Sequence, residues 1–317
     1  MSRPSLTIVV TARHDNYGGP YQDRIIRPLA FNCARLDEAG VDYEYVLVEW
    51  DPIPDRPLLA DLVTHHLARF SDRIRRIVVA PEYQVALTQN PRAGYLEYMA
   101  KNVGIRRAAA PLVLVTNVDI LLGRQVVRTL AAGVSGGTIY RAARVDIKLG
   151  IDPSALTWDT LEDPANHDRR PTLEPPLYSG AAGDFLLTDR ETFHTLRGFN
   201  EVYRAARSGI DLNFLVKAYG SGVPIADLGT PVYHVNHIGS MRISKSLYEA
   251  EPADSPWGNL RWHSRHVVYN NPDGWGLCNA PEHESSKGVR LLVFDPYAVP
   301  PLVALRRIVL PARRTTA

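Results

Sequence analysis

Two rhythms of apolar residues alternate along the first half of the chain. Nearly continuous apolar runs, SLTIVVTA (5–12), YEYVLVEW (43–50), IRRIVVA (74–80) and PLVLVTN (111–117), are bounded by polar, glycine or proline residues and read as buried strands. Between them apolar positions return every three or four residues, which lays a stripe along a helix. The stripes are Ile26, Leu29, Ala30, Cys33 and Leu36, stopped by Gly40; Leu59, Leu62, Val63, Leu67 and Phe70; Leu96, Met99, Ala100 and Val103; and Val126, Val127 and Leu130. A loop rich in proline, glutamine and asparagine is expected before Leu96. Four strands joined by helical crossovers predict an α/β fold, with a mostly parallel sheet covered on both faces.

Past residue 150 the pattern loosens. Residues 151–179 hold five prolines and few apolar runs, which predicts a long loop or insertion. GDFLLT (183–188) reads as a strand, and Thr188 with Glu191 as a capping box that opens a helix carrying Phe193 and Leu196 and ending at Gly198. A second helix is expected from SGID to Gly220, then strands VPIADL and PVYHVNH. The tail shows no clear period. Its Trp257, Trp262, Trp275 and Tyr269 suit a packed satellite core or a platform for sugar rings. The arginine-rich end suits a membrane surface, a partner subunit or a frayed terminus, and Pro300, Pro301 and Pro311 argue against a long helix there.

In parallel sheets, ligands bind beyond the carboxyl ends of the strands. That rule selects His14, Asp15 and Asn16, then Glu49 and Asp51, then Asn117 and Asp119. The last pair ends the run PLVLVTNVDI with one valine between, so an extended chain would point both side chains to one side, as half of a metal site or as a surface turn.

Composition narrows the partners. The chain of 317 residues is 45% hydrophobic and 22% charged, a globular balance. Thirty-six basic and 34 acidic residues leave +2, too little for non-specific attraction of nucleic acid. Two cysteines, Cys33 and Cys278, are too few for a disulfide framework or a thiolate zinc site and read as small buried hydrophobes. The N-terminus lacks the pattern of a signal peptide and no run of 18 apolar residues occurs, so a soluble, cytoplasmic protein without a transmembrane segment is expected.

Taken in order, TIVVTARHDN, YVLVEWDP, AKNVGIRRAAAPLVLVTNVDILL, GDFLLTDRETFHTLRGFNE, SGIDLNFL and YHVNH resemble the nucleotide-sugar-dependent glycosyltransferases of the GT-A fold, in the style of the large inverting glycosyltransferase family 2. They extend over residues 6–237. The resemblance implies a Rossmann-like, mostly parallel sheet with a small antiparallel element. It implies a catalytic domain over 1–240, split into a nucleotide-binding half (1–122) and an acceptor half (123–240), and an irregular extension over 241–317 packing on it. The implied partners are a nucleoside-diphosphate sugar donor and a carbohydrate or small-molecule hydroxyl acceptor; a homo-oligomer is compatible. Thr11, Arg13, Asp15, Asn16, Glu49, Asp51, Asn102 and Asn117 fall at the implied nucleotide and donor positions. Asp119, with His234 and His237, falls at the implied site of a divalent metal, Mn²⁺ or Mg²⁺. Asp211 falls at the implied general base and Asp184 at an acceptor contact.

The sequence departs from that family at Asn117, where the metal motif has a first aspartate, and at Ile210, where a glutamate precedes the base. An amide oxygen can ligate but brings no charge. In an extended segment the odd separation of His234 and His237 sends them to opposite faces, so one of them would meet the ion, with His234 slightly preferred. Asp51 could instead start a turn before Pro52, and Asp211 could form a capping box with Ser208. Neither a G-x-G-x-x-G nor a P-loop follows the first strand, which disfavours a dehydrogenase or a P-loop enzyme. A sugar-nucleotide nucleotidyltransferase and a non-catalytic nucleotide-sugar-binding protein remain as alternatives.

Overall fold

In the computed structural model, residues 4–15, 17–89, 94–169, 172–204, 209–237, 267–300 and 308–309 are described. The strands are β1 (Leu6–Ala12), β2 (Tyr43–Trp50), β3 (Ile74–Val79), β4 (Leu112–Val115), β5 (Ile120–Leu122), β6 (Ile139–Arg141), β7 (Arg144–Ile147), β8 (His167–Arg169), β9 (Leu186–Asp189), β10 (Ile225–Asp227), β11 (Val232–His234), β12 (Val267–Val268), β13 (Glu282–Glu284), β14 (Val289–Leu292) and β15 (Ile308–Val309). The α-helices are α1 (Arg27–Glu38), α2 (Leu59–His66), α3 (Pro81–Leu87), α4 (Glu97–Arg106), α5 (Arg124–Ala132), α6 (Trp158–Glu162), α7 (Arg190–Thr195) and α8 (Ile210–Gly220).

Nine strands form the central sheet in the order β10-β6-β9-β4-β1-β2-β3-β14-β13. The run β4-β1-β2-β3-β14 is parallel, β9 enters antiparallel between β4 and β6, and β13 closes the far edge antiparallel to β14. Every residue of β1 is buried, because the sheet carries a core on each face. Val9 joins the core with α4 and α8, while Ile8 and Val10 join the one with α1, α2 and α5. Helix α4 lies so close to β1 that a Cβ on Gly104 would come within 2.4 Å of Val9 Cγ1. A second sheet, β5-β11-β7-β8, stands beside the carboxyl end of β4. The β12–β15 pair is separate.

The expected alternation is present through β4, and the structure departs from expectation in detail there and beyond. The loop before α4 contains α3, and the second helix is α2 followed by a 3₁₀ segment, Ala68–Arg73. Helix α7 is capped by Asp189, whose carboxylate accepts from Thr192 N at 2.7 Å; Thr188 lies in β9, so the expected capping box does not form. The 151–179 stretch contains α6, β8 and short turns rather than one loop. The tail supplies β13 and β14 to the central sheet. Cys33 is buried, whereas Cys278 is only half-buried, contrary to expectation. Tyr269 and Trp275 are packed in the core; Trp257, Trp262 and most of the arginine-rich end lie outside the described residues. Among the described residues no helix is long and apolar enough to cross a membrane.

Candidate metal and nucleotide site

The site forms where β4 gives out. After Val115 the chain turns, with Ile120 N donating to Asn117 O at 3.2 Å, and reverses into β5. Residues 117 and 119 are therefore not on one extended segment, and their side chains enter two adjacent clusters.

Asp119 enters the first cluster. Strand register brings its partners to it: His234, the last residue of β11, sits opposite Ile120 of β5 and Asp146 of β7. His234 Nε2 lies 3.4 Å from Asp119 Oδ2, and its Nδ1 lies 2.9 Å from Asp146 Oδ1, so Asp146 orients the ring. The chain leaves the strand at Val235, whose N–H donates to Asp119 O at 3.1 Å. His237 Nε2 thereby comes within 3.9 Å of the same Asp119 oxygen. The expectation that one histidine would face away is overturned, because two-residue alternation ends with β11.

These three residues are buried, and one donor atom from each lies within 4.8 Å of the others. One carboxylate and two imidazoles suit a divalent transition ion such as Mn²⁺. Arg24, on one turn of π-helix (Gln22–Ile26), also donates to Asp119 Oδ2. Burial alone would push the Asp119 carboxyl up, but Arg24, His234 and His237 outweigh it and hold it well below the usual carboxylate range. Burial likewise opposes charge on His234, yet Asp119, Asp146 and Asp184 push its pKa up to about 9. Gly18 is required beside them: at φ +75°, a Cβ there would overlap Arg24 Nη1 and come within 2.6 Å of His237 Nδ1.

Asn117 enters the second cluster. Its Oδ1 accepts from the buried Lys101 Nζ at 2.7 Å, and its Nδ2 donates to Asp184 Oδ1 at 2.6 Å. Lys101 also pairs with Glu97 at 2.9 Å and donates to Gly183 O at 3.3 Å. The other Asp184 oxygen accepts from Arg144 Nη1 at 2.9 Å. Burial pushes the Asp184 carboxyl up and outweighs Arg144, His234 and Lys101. Asp211 stands in the first turn of α8, half-buried; a Cβ on Gly183 would be 3.4 Å from Asp211 Oδ2 and 3.7 Å from Lys101 Nζ. The N-cap of α8 is Gly209; the alternative of a capping box rests on Ser208, which lies outside the described residues.

A cleft of about 150 Å³ opens between the clusters and the carboxyl end of β1. Thr11, Arg13, Asp15, Arg24, Asn117 and Arg144 are among its walls. Arg13 pairs with Asp51 at 2.7 Å and Asp15 at 3.2 Å, which ties the exits of β1 and β2 together. Asp51 adopts φ +54°, in keeping with a turn. Asn16 lies outside the described residues.

Glu49 and Asn102 are engaged elsewhere. The Glu49 carboxylate is buried and accepts from Leu59 N at 2.8 Å and Ala60 N at 3.0 Å, capping α2. Asn102 is fully buried, donating to Phe199 O at 2.8 Å and Glu201 Oε1 at 2.9 Å and accepting from Phe199 N at 2.8 Å. It fastens the GFNE turn to α4. Neither residue is among those lining the cleft.

Sequence reasoning missed Arg24, Glu97, Lys101, Arg144 and Asp146. The available signal was a charge on an otherwise buried face: Lys101 sits inside the apolar stripe of α4 and Asp146 inside buried β7.

No family model matches the sequence, and no curated protein matches it. Among solved structures, the chain is similar to GalNAc-T7 crystallised with UDP, GalNAc and Mn²⁺, with a TM-score of 0.46 and 12% identity over 75% of this chain and 44% of that one. It is similar to the galactosyltransferase LgtC in complex with donor and acceptor sugar analogues, with a TM-score of 0.39 and 14% identity over 79% of this chain and 98% of that one. It is also similar to the inositol-1-phosphate CTP transferase from T. maritima, with a TM-score of 0.41 and 10% identity over 79% of this chain and 99% of that one. The chain thus spans less than half the length of GalNAc-T7, and similarities of this strength assign no activity.

Proposed function

We propose that the protein is a metal-assisted glycosyltransferase of the GT-A type, moving a sugar from a nucleoside diphosphate to a hydroxyl acceptor with inversion. The observation that carries this reading is the convergence of Asp119, His234 and His237 beside a cleft walled by Arg13, Arg24 and Arg144, at the carboxyl end of a parallel sheet. Asp119, His234 and His237 would hold the ion, with Asp146 fixing the His234 ring. A bound divalent ion would supply positive charge to the departing diphosphate. Thr11, Arg13, Asp15 and Asp51 are the candidates for the nucleoside, and Arg144 for the sugar phosphate. Asn102 and Glu49 act only through the backbone they fasten.

In the transfer, the acceptor oxygen forms a bond to the anomeric carbon while the bond from that carbon to the phosphate oxygen breaks. Its electron pair leaves with the diphosphate, and the acceptor proton goes to a carboxylate. Asp211 is that base. Asp184 is the weaker candidate because both its oxygens already accept from Asn117 and Arg144, and it serves to place Asn117.

The test is a thermal melt with nucleoside diphosphates, with and without Mn²⁺, followed by turnover of nucleotide sugars. Joint stabilisation by a diphosphate and Mn²⁺ is expected. Asp119→Asn should abolish the Mn²⁺ component, and Asp211→Asn should keep donor binding while turnover falls by about 10²-fold or more. Unchanged turnover in Asp211→Asn would remove it as the base. A nucleotidyltransferase is the second reading, favoured by the three arginines of the cleft; stabilisation by triphosphates alone would select it.

A further inference from the structure

Arg24 stands where an ion's charge would stand. Its Nη2 donates to Asp119 Oδ2, the oxygen that His234 Nε2 and His237 Nε2 face at 3.4 and 3.9 Å. Its Nη1 donates to Tyr17 O at 3.2 Å, its guanidinium lies 5.6 Å from the Tyr17 ring centroid, and its buried Nε has no hydrogen-bond partner among the described residues. Arg24 is also a wall of two cavities, the cleft described above and a second of about 340 Å³ bounded by Gly18, Gly19, Lys148 and Asn236. A turn of its side chain therefore has space on either side.

A buried carboxylate left without a positive partner is strongly destabilising. A guanidinium and a divalent ion on one carboxylate oxygen are like charges a few ångströms apart, and each weakens the other's hold. A fixed Arg24 would therefore help the ion-free carboxylate and oppose the ion. The π-turn beneath it gives the position a local geometry of the kind that recurs at functional sites.

We propose that Arg24 is a place-holding cation: it neutralises Asp119 while the ion is absent, and moves from Asp119 onto the donor's diphosphate when the ion takes the carboxylate. The proposal rests on the metal reading above. Its consequence is an order of events. Arg24 would leave Asp119 as the ion is bound, and only then would its full positive charge, with planar paired donors, be free for phosphate oxygens. Arg24 would compete with the ion and assist the anion.

The experiment titrates Mn²⁺ alone, and then pyrophosphate at saturating Mn²⁺, into the full-length wild type and Arg24→Gln. Arg24→Gln should bind Mn²⁺ about fivefold or more tightly and pyrophosphate about fivefold or more weakly, with a lower metal-free melting temperature and a larger shift on adding Mn²⁺. Equal or weaker Mn²⁺ binding by Arg24→Gln would overturn the competition. Tighter Mn²⁺ with unchanged pyrophosphate affinity would overturn the transfer to the diphosphate. Should Arg24→Gln not fold in metal-free buffer, refolding in Mn²⁺ supports the proposal and failure to refold counts against it. Wild type that binds no Mn²⁺ would instead remove the metal reading itself.

Discussion

Asn117 occupies the position where the resembled family has the first aspartate of its metal motif, and its two hydrogen bonds explain the amide. One side of the group must accept from the Lys101 ammonium and the other must donate to the Asp184 carboxylate. An amide does both at once, whereas an ionised carboxylate only accepts. An aspartate would keep the bond to Lys101 but set a second carboxylate against Asp184 at the present 2.6 Å separation. Asn117→Asp, which restores the family pattern, is therefore expected to lower stability by about 1–3 kcal/mol and to reduce turnover, read by denaturant titration and steady-state assay. A gain in Mn²⁺ affinity with undiminished turnover would show that the lost carboxylate was a ligand after all. The amide and the histidines then answer separate needs: under the proposed metal reading Asp119 is the one carboxylate of the Asp119–His234–His237 group, and Asn117 links Lys101 to Asp184.

At the scale of elements, α8 carries Asp211 in its first turn and the fully buried Lys217 in its last, where Nζ donates to Gly198 O at 2.7 Å. Burial pulls the Lys217 pKa down to about 7, against the attraction of Glu201. In the unfolded chain this lysine titrates near 10.4. Between those values the unfolded state holds a proton that the folded state lacks, so the contribution of Lys217 to stability rises with pH across the window, by up to about 1.4 kcal/mol per pH unit, and is least favourable below pH 7. Lys217→Met is expected to flatten the rise between pH 7 and 9, measured as the difference between wild-type and variant unfolding free energies. Equal slopes would mean that Lys217 keeps its proton when buried. The four parallel strands were legible as nearly continuous apolar runs, and α8 from its SGID start and the glycine that ends it. The polar interior was not. Lys101, Arg141 and Lys217 interrupt apolar stripes as isolated charges, and nothing local says that Arg141 donates to the carbonyls of Tyr178, Gly180, Ala181, Ala182 and Phe185, shaping the turn that presents Asp184. The convergence of His234 and His237 was hidden for a related reason: it depends on where β11 stops pairing, a property of the partner strands rather than of YHVNH.

At the scale of the whole molecule, the tail is where periodicity had least to offer, since β13 and β14 are short and their value lies in a distant partner. Strand β14 pairs parallel with β3, from Val289 opposite Arg76 to Leu292 opposite Val79, and β13 folds over it to close the edge. Ahead of them, Arg107 of the α4 C-cap donates to Gly276 O at 2.8 Å and Leu277 O at 2.9 Å and pairs with Glu282 at 2.6 Å. Trp275 is buried under α4, with Arg106 stacked 5.0 Å from its ring centroid. Since α4 also carries Glu97 and Lys101, the tail buttresses the same helix that supports the site. An independent appendage would melt apart from the sheet; a shared core would not. Trp275→Ala should therefore lower the stability of the entire chain by about 3–5 kcal/mol and leave a single calorimetric transition, with Mn²⁺ and diphosphate binding lost in the same step as the sheet. A second, early transition that leaves ligand binding intact would show the tail to be a separate unit resting on the rest of the chain.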